Sequence, residues 1–317
     1  MRLRHLFGAV DALAVAVVIL ILLGILSELA LAGGPHGNYT NDTDACGSCH
    51  NTHAARGKNL IANLAAGSQN EIYRVCTYCH KAGGQSKYDV VNGITSSTKA
   101  SLAGGFSYVV TAEGNPPTKV PPTSKHDVDA AEGSSFWAPG YSTNPADYVV
   151  LTCASYHNPH SGADRALRSP ILGVSVSPVM SIMVSGGDES VQYNSGWNDF
   201  CGACHKDYKQ TAAGSGSMDS GTYSTYKRHR VGMDPSGYPG VNSSSWTTWF
   251  LSQPSTSLPL QNDNAGNTVM VCLTCHYAHS TARTNTVTFN RADGTTTSSS
   301  ALLRQDNRGA CEACHNK

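Results

Sequence analysis

The residue types with the clearest chemistry in this chain are cysteine and histidine, which recur together in one short pattern. Five segments read Cys-x-x-Cys-His, and a sixth keeps the first cysteine and the histidine but has Tyr156 in place of the second cysteine. Two thiols at this spacing reach the two vinyl groups on one edge of a porphyrin, and the histidine that follows lies under the iron. The pattern therefore predicts covalently attached c-type haem.

Three other uses of paired cysteines compete with haem. Such pairs also bind zinc, form disulfides in an oxidising compartment, or act as redox dithiols. None of these requires a histidine directly after the second cysteine, whereas one follows all five intact pairs. The predicted thioether residues are Cys46, Cys49, Cys76, Cys79, Cys153, Cys201, Cys204, Cys272, Cys275, Cys311 and Cys314. The predicted proximal iron ligands are His50, His80, His157, His205, His276 and His315.

The motif that contains Tyr156 departs from this pattern. Cys153 can still form one thioether, and His157 can still serve as an axial ligand. The alternatives are that this position holds no haem, or that the tyrosine reflects a variant sequence. Because the other histidines and the partner motif expected around it are all present, we predict a haem held here by a single thioether.

Each iron needs a second axial ligand, and the remaining histidines of the mature chain match that need. The predicted distal ligands are His53, His160 and His279, three residues after a motif's own histidine, and the upstream residues His36, His126 and His229. Histidines three residues apart on one helical turn face the same way, so His50 and His53 cannot bind opposite faces of one haem. His53 and its equivalents must therefore reach a neighbouring iron, which would bring the two haems of one repeat close together.

Two points about the distal ligands stay open. His36 can ligate a haem of its own chain or of the next molecule. Met218 and Met233 are other candidate ligands, but neither recurs at a fixed place in the repeats.

The motifs are arranged as three repeats of two. The first motif of each repeat carries the additional histidine three residues on, and the second is a lone Cys-x-x-Cys-His. We place the repeats at residues 33–110, 111–225 and 226–317, after a targeting segment at residues 1–32. Pro-, Gly- and Ser-rich stretches between them indicate loops and turns.

The composition is unusual for a protein with an ordinary core. Aromatic residues are 8% and charged residues 14% of the chain, and few segments show sustained helical or strand periodicity. Such a chain needs another source of buried apolar surface, and several haems would supply it. The expected fold is mostly irregular, with short α-helices and few short strands, organised around a close-packed chain of about six c-type haems.

The N-terminal segment predicts export. It has Arg2 and Arg4, an apolar run at residues 12–26 and the small-residue sequence Ala30-Leu31-Ala32. This is the pattern of a cleaved signal peptide, and an uncleaved membrane anchor is the alternative. We expect no membrane span after cleavage, and an extracellular or cell-surface location rather than a periplasmic one.

The charge balance limits the partners. The formal net charge is +0, which offers no basic surface for nucleic acid, and haem propionates would make the loaded protein acidic. Cationic redox proteins, metal ions or other extracellular electron acceptors are therefore the expected partners.

The segments CGSCHNTH, LTCASYHNPHSG and VCLTCHYAHS resemble the doubled-CXXCH multihaem cytochromes, as do the upstream stretches SKHDVD and KRHRVGMDPSG. The resemblance implies an exported electron carrier with bis-histidine haems in a close-packed chain. Some similar multihaem cytochromes polymerise into extracellular filaments with haems stacked across subunits, and this likeness implies the chain itself as a partner. Tyr156 departs from the family pattern.

Electron transfer without catalysis is the leading functional hypothesis, either in a conductive filament or as a soluble periplasmic shuttle. The alternative is a multihaem reductase with one open iron, for which the position at His157 is the best candidate.

Overall fold

A computed structural model describes residues 36, 44–53, 55, 59–64, 67–95, 98–139, 144–161, 164–185, 188–206, 219–220, 223–227, 231, 259, 261–262, 268–284, 287–290 and 296–305. The predicted targeting segment, His229, Cys311, Cys314 and His315 lie outside the described residues. Within these ranges, no helix combines the length and the apolar character needed to cross a bilayer.

Five short helices carry the five described motifs. They are α1 (Asp44–Gly47), α2 (Glu71–Cys79), α3 (Cys153–Tyr156), α4 (Trp197–Gly202) and α5 (Cys272–Cys275). In each motif the N–H of the histidine donates to the carbonyl of the first cysteine, at 2.9–3.1 Å. This single turn is the bond pattern of an α-helix, and it holds the first cysteine and the histidine in a fixed relation.

Helix α2 is the longest of these helices, and its start is fixed by Asn70. The Asn70 side chain accepts a hydrogen bond from the Tyr73 N–H at 2.8 Å, as an N-cap should. Its amide also donates to the Val128 carbonyl at 2.7 Å. The cap therefore also attaches the second motif of repeat 1 to the segment that precedes the Cys153 motif.

The strands are short and form several small sheets. They are β1 (Tyr88–Asp89), β2 (Ile94–Thr95), β3 (Lys99–Ala100), β4 (Val109–Ala112), β5 (Thr118–Val120), β6 (Ser124–Lys125), β7 (Val179–Ser185), β8 (Asp188–Ser195), β9 (Asp219–Ser220), β10 (Tyr223–Lys227), β11 (Gln261–Asn262), β12 (Thr268–Val269), β13 (Ser280–Thr281), β14 (Val287–Asn290) and β15 (Thr296–Ser299). Two 3₁₀ turns lie at Pro145–Asp147 and Asp164–Ala166.

Strands β1, β2 and β3 form an antiparallel sheet, and β4–β5, β9–β10 and β14–β15 pair as two-stranded ribbons. The largest sheet has the order β12-β11-β8-β7, in which β11 runs parallel to β8 and the other pairs are antiparallel. Its β7–β8 hairpin leads directly into helix α4 and so positions the motif at Cys201.

The pair β6–β13 joins segments that are distant in sequence. Ser280 faces Lys125 and Thr281 faces Ser124, and the His126 N–H continues the ladder by donating to the His279 carbonyl at 2.9 Å. The His279 N–H in turn donates to the Ala103 carbonyl at 2.7 Å. Two predicted iron ligands from different repeats are therefore fixed side by side on one strand pair.

Two apolar clusters pack around the motifs. The larger contains Ile171, Val176, Tyr193, Trp197, Phe200, Ala203, Val271 and Leu273, and the smaller contains Tyr73, Phe106 and Val128. Tyr156 packs against both clusters. Cys153, Cys201 and Cys204 also pack against these clusters, so the motifs that begin at Cys153 and Cys201 border the core.

Candidate functional site

We number the six motif positions in chain order as sites 1 to 6, beginning at Cys46, Cys76, Cys153, Cys201, Cys272 and Cys311. Sites 1 to 5 lie within the described residues, and site 6 lies outside them. The nine described cysteines are free thiols. Among the described residues, no three His, Cys, Asp or Glu side chains group closely enough to hold a metal ion by themselves.

The proximal histidines of sites 1 to 4 each face a second imidazole. The ring centroids are 5.9 Å apart for His36–His80, 6.0 Å for His50–His160, 6.3 Å for His126–His205 and 6.5 Å for His157–His279. A metal–imidazole bond is about 2 Å long, and each ring centroid lies about 1.1 Å behind its nitrogen, so two imidazoles on one iron place their centroids about 6 Å apart. The four pairs have the spacing that an iron between them would require.

The pairing follows one rule, which differs from the sequence expectation. His160 was expected to join the two sites of its own repeat, but its ring faces His50 of the preceding repeat. In the same way, the ring of His279 faces His157 of the preceding repeat. The first site of a repeat is thus completed by the repeat that follows it.

The upstream histidines pair with the second site of a repeat, which is the other part of the pairing rule. His36 faces His80, and His126 faces His205, so an upstream histidine completes the second site of its own repeat. His36 therefore lies against a site of its own chain. The third upstream histidine, His229, and its expected counterpart His315 are outside the described residues.

The second ring nitrogen of most paired histidines is anchored to the backbone. The Nδ1 of His157 lies 2.7 Å from the Arg165 carbonyl, that of His205 lies 2.8 Å from the Pro139 carbonyl, and that of His126 lies 2.7 Å from the Ala278 carbonyl. Corresponding contacts join His50 to Asn59, His276 to Ala301 and His279 to Gly104. A carbonyl partner requires the proton on Nδ1, which leaves Nε2 unprotonated and able to bind a metal.

Burial favours the neutral form of five of these rings. It lowers the pKa of His126 to about 4 and that of His279 to about 3, with the charges of nearby histidines adding to the effect. Burial is also the main cause that lowers the pKa of His157, His205 and His276. The neutral imidazole is the form that binds iron, so the environment favours ligation.

Site 3 retains the geometry of the other sites despite its tyrosine. Its helical turn, the anchored His157 and the facing His279 are all present. The Tyr156 ring packs instead toward site 4, with its centroid 5.5 Å from that of His126 and 6.4 Å from that of Phe200. Burial raises the pKa of Tyr156, so the phenol stays protonated and is a poor iron ligand.

Site 5 differs from the four paired sites. His276 is anchored to the Ala301 carbonyl at 2.6 Å, like the proximal histidines before it. Within the part of the chain that the structure describes, however, no imidazole stacks against His276. The same is true of His53, which is exposed.

Contacts between cysteines place the sites in sequence order. The Cys49 thiol lies near Cys76 and Cys79, whose charges raise its pKa after the larger effect of burial. The Cys76 thiol is in hydrogen-bonding contact with Cys153, and Cys201 with Cys272.

Tyr156 supplies the contact between sites 3 and 4, because it lies near Cys201 and Cys204. Each described site therefore has a contact with the next one in chain order, from site 1 to site 5.

An open cavity of about 280 Å³ lies beside site 4. Its wall includes Tyr156, Ile171, Leu172 and Cys204. Apolar side chains next to a motif thiol suit a flat apolar group. Together with the spaced imidazoles and free thiols, this lining fits covalently bound haem.

Three supporting residues were not found from the sequence. Phe106 stacks on His279 at 4.7 Å, and Asn51 and Asn158 accept hydrogen bonds from the N–H groups of His53 and His160 at 2.9 and 3.1 Å. The sequence does contain a signal for Asn51 and Asn158, because each of them directly follows a motif histidine in the pattern His-Asn-x-His. Phe106 had no signal, because it is brought to His279 by long-range folding.

Comparison with known proteins bears on the first two sites. No curated protein and no solved structure matches the chain. Residues 36–85 match the family model described as the doubled CXXCH motif. This segment contains sites 1 and 2 with His36 and His53, and the match supports a c-type multihaem cytochrome with covalently bound haem.

Proposed function

We propose that this protein is an exported electron carrier that holds six c-type haems, each between two histidines. Haem iron supplies one-electron redox chemistry when it is bound. The observation that carries the proposal is the set of four imidazole pairs, with centroids 5.9–6.5 Å apart. Two histidines on one iron leave no position for a substrate, which favours electron transfer over catalysis at iron.

The linear order of the sites supports a transport role. Neighbouring sites touch through Cys76–Cys153 and Cys201–Cys272, and through Tyr156 between sites 3 and 4. A carrier for a single electron needs no such line, whereas conduction from one end of the molecule to the other does.

The reductase alternative requires an open iron, and site 3 was its best candidate. The His279 ring faces His157 at 6.5 Å, which weighs against an open position there. The protein would then act on its partners by electron exchange alone, with cationic proteins or extracellular acceptors at its surface.

We further propose that the protein polymerises outside the cell, and that neighbouring subunits share the iron of site 5. The pairing rule assigns the first site of each repeat to a histidine of the following repeat. Among the described residues, His276 of repeat 3 and His53 of repeat 1 are the two motif-associated histidines that no other imidazole faces. A second copy joined head to tail would bring the two together.

The local structure of His53 supports this role. Its N–H donates to the Asn51 side chain at 2.9 Å, just as the N–H of His160 donates to Asn158 at 3.1 Å. His160 is already paired with His50. His53 is held by the same turn and is exposed, as His160 is, so it can reach another molecule. A contact of this head-to-tail kind generates an open filament when the rotation from one copy to the next does not close a ring.

The carrier proposal is tested by exporting the full chain in a host that matures c-type cytochromes. We expect the intact mass to show six haems per chain and the spectrum of the reduced protein to show low-spin iron at sites 1 to 4. Fewer than six haems per chain, or carbon monoxide binding to more than two of them, would contradict it.

The polymer proposal is tested with His53→Ala, and His36→Ala is the matched control. We expect His53→Ala to abolish filaments in negative-stain images and to leave one high-spin haem per chain. Added imidazole should restore the low-spin spectrum without restoring filaments. His36→Ala should also open one iron, at site 2, but leave assembly intact. Filaments in the His53→Ala protein, or a fully low-spin dispersed protein, would exclude the shared iron.

A further inference from the structure

Arg304 is an ionisable side chain buried in the core, and none of the described carboxylates forms an ion pair with it. It is 4% exposed, and its Nη2 atom has no hydrogen-bond partner. No carboxylate lies within salt-bridge distance of it among the described residues. A buried guanidinium without a counter-charge is strongly unfavourable, because it loses its hydration and gains no compensating interaction.

The rest of the side chain is fixed tightly in place. Its Nε donates to the Leu273 carbonyl at 2.7 Å, and the guanidinium lies 4.4 Å from the centroid of the Tyr277 ring. The backbone N–H of Arg304 donates to the Cys275 carbonyl at 2.9 Å. The Tyr193 hydroxyl lies beside the guanidinium, which lowers the pKa of that phenol against the larger effect of burial. The cation is therefore held in one position against the site 5 turn.

Among the described residues, this rigid cation thus has no anion as a partner. Arginine is suited to a carboxylate, because its planar fork donates two parallel hydrogen bonds. The proposed function places haems at site 5 and at its neighbours, and each haem carries two propionates. These carboxylates are the anions that the loaded protein would bring into this part of the core.

We propose that Arg304 is a binding site for a haem propionate in the core beside site 5. The guanidinium offers its unpaired Nη2 to the carboxylate while its Nε stays on the Leu273 carbonyl. This inference rests on the proposed function for the presence of haem, but not on polymerisation.

The ion pair between Arg304 and the propionate would affect the reduction potential of the haem. A positive charge held near a haem disfavours the oxidised form, which carries one more positive charge than the reduced form. Removing the guanidinium leaves the propionate charge uncompensated in a low-dielectric interior. The midpoint potential of the haem that owns this propionate should therefore fall.

Arg168 offers a matched control. It also donates to a motif carbonyl, from Nη1 to Ala154 at 2.7 Å, but the residue is exposed. Solvent screens its charge, so its removal should leave the potentials unchanged.

The test compares redox titrations of the haem-loaded Arg304→Gln, Arg304→Lys and Arg168→Gln proteins with the wild type. We expect Arg304→Gln to lower one midpoint potential, Arg304→Lys to restore most of the shift, and Arg168→Gln to have no effect.

Infrared difference spectra of protein with ¹³C-labelled propionates give a second readout. One labelled carboxylate band should move in Arg304→Gln and stay in place in Arg168→Gln. Intact mass and thermal unfolding establish that each variant is loaded and folded. Unchanged potentials and unchanged carboxylate bands in a loaded Arg304→Gln protein would overturn the inference, whereas a wild-type protein without haem would overturn the proposed function itself.

Discussion

Replacing His279 with alanine tests whether ligands cross between repeats. The His279 ring faces His157 at 6.5 Å, and no other described imidazole stacks against His157 from that side. We expect His279→Ala to open the iron of site 3. With six proposed haems, about one sixth of the iron should become high-spin and bind carbon monoxide in the reduced state.

Site 3 carries its own spectroscopic label. A haem attached only through Cys153 keeps one vinyl group, which extends the conjugated system and moves its absorption to longer wavelength than that of haems with two thioethers. The carbon monoxide difference spectrum of His279→Ala should therefore be displaced to longer wavelength. His160→Ala is the matched control, because it should open site 1, where both thioethers are present.

The expected loss of stability is moderate. The His279 ring stacks on Phe106 at 4.7 Å, and its Nδ1 lies 3.3 Å from the Gly104 carbonyl, while its backbone hydrogen bonds would remain. Loss of this buried ring and its weak hydrogen bond should lower the free energy of unfolding by about 1–3 kcal/mol. A carbon monoxide spectrum without the displacement would show that His279 serves an iron with two thioethers, which would refute the cross-repeat rule.

Three further predictions follow from the same geometry. Tyr156→Cys should complete the motif of site 3 and allow a second thioether bond to its haem. The number of haems measured by mass should stay constant, while one absorption band in alkaline pyridine moves to shorter wavelength. An unchanged band would show that Cys153 is not the single attachment. Gly104→Ala should displace the β13 segment, because a Cβ at this φ of +80° would lie 2.2 Å from the Ser280 carbonyl oxygen. The midpoint of denaturation of this variant should fall by more than that of Gly83→Ala, where φ is +73° and nothing lies within 4 Å of the added Cβ. Equal losses would show that only backbone conformation matters. Electron paramagnetic resonance should show one strongly anisotropic low-spin signal from site 3. The reason is that the ring planes of His157 and His279 make an angle of 68°, whereas the ring planes of the other three pairs make angles of 17–33°. Absence of this signal in the loaded protein would contradict the orientation of His279.

The local part of the site could be predicted from the sequence. Cys-x-x-Cys-His specifies a helical turn, and the histidine census supplies a set of second ligands. The partner of each ligand could not be predicted, because fixed spacing shows only which pairs are forbidden. Whether His160 turns to its own repeat or to the preceding one depends on packing between repeats.

The strand pairs show a different limit of prediction from the sequence. The β7–β8 hairpin was not predicted, although the sequence places two glycines, at residues 186–187, between its strands. This is a known hairpin signal. The pairing of β6 with β13 had no local signal, because residues 124–125 and 280–281 are distant in the chain.

The pairing rule links neighbouring repeats. The first sites of repeats 1 and 2 each face a histidine of the repeat that follows, so under the proposed ligation neither repeat is complete alone. His126 and His279 show how the dependence is built, since their backbones share a hydrogen bond of 2.9 Å while their rings face different proximal histidines, His205 and His157. A shift of β13 along β6 would therefore disturb sites 3 and 4 together. In the proposed haem-loaded protein, the register of strands β6 and β13 and the histidines that cross between repeats thus fix the spacing of neighbouring sites. A large side-chain core would otherwise perform this role.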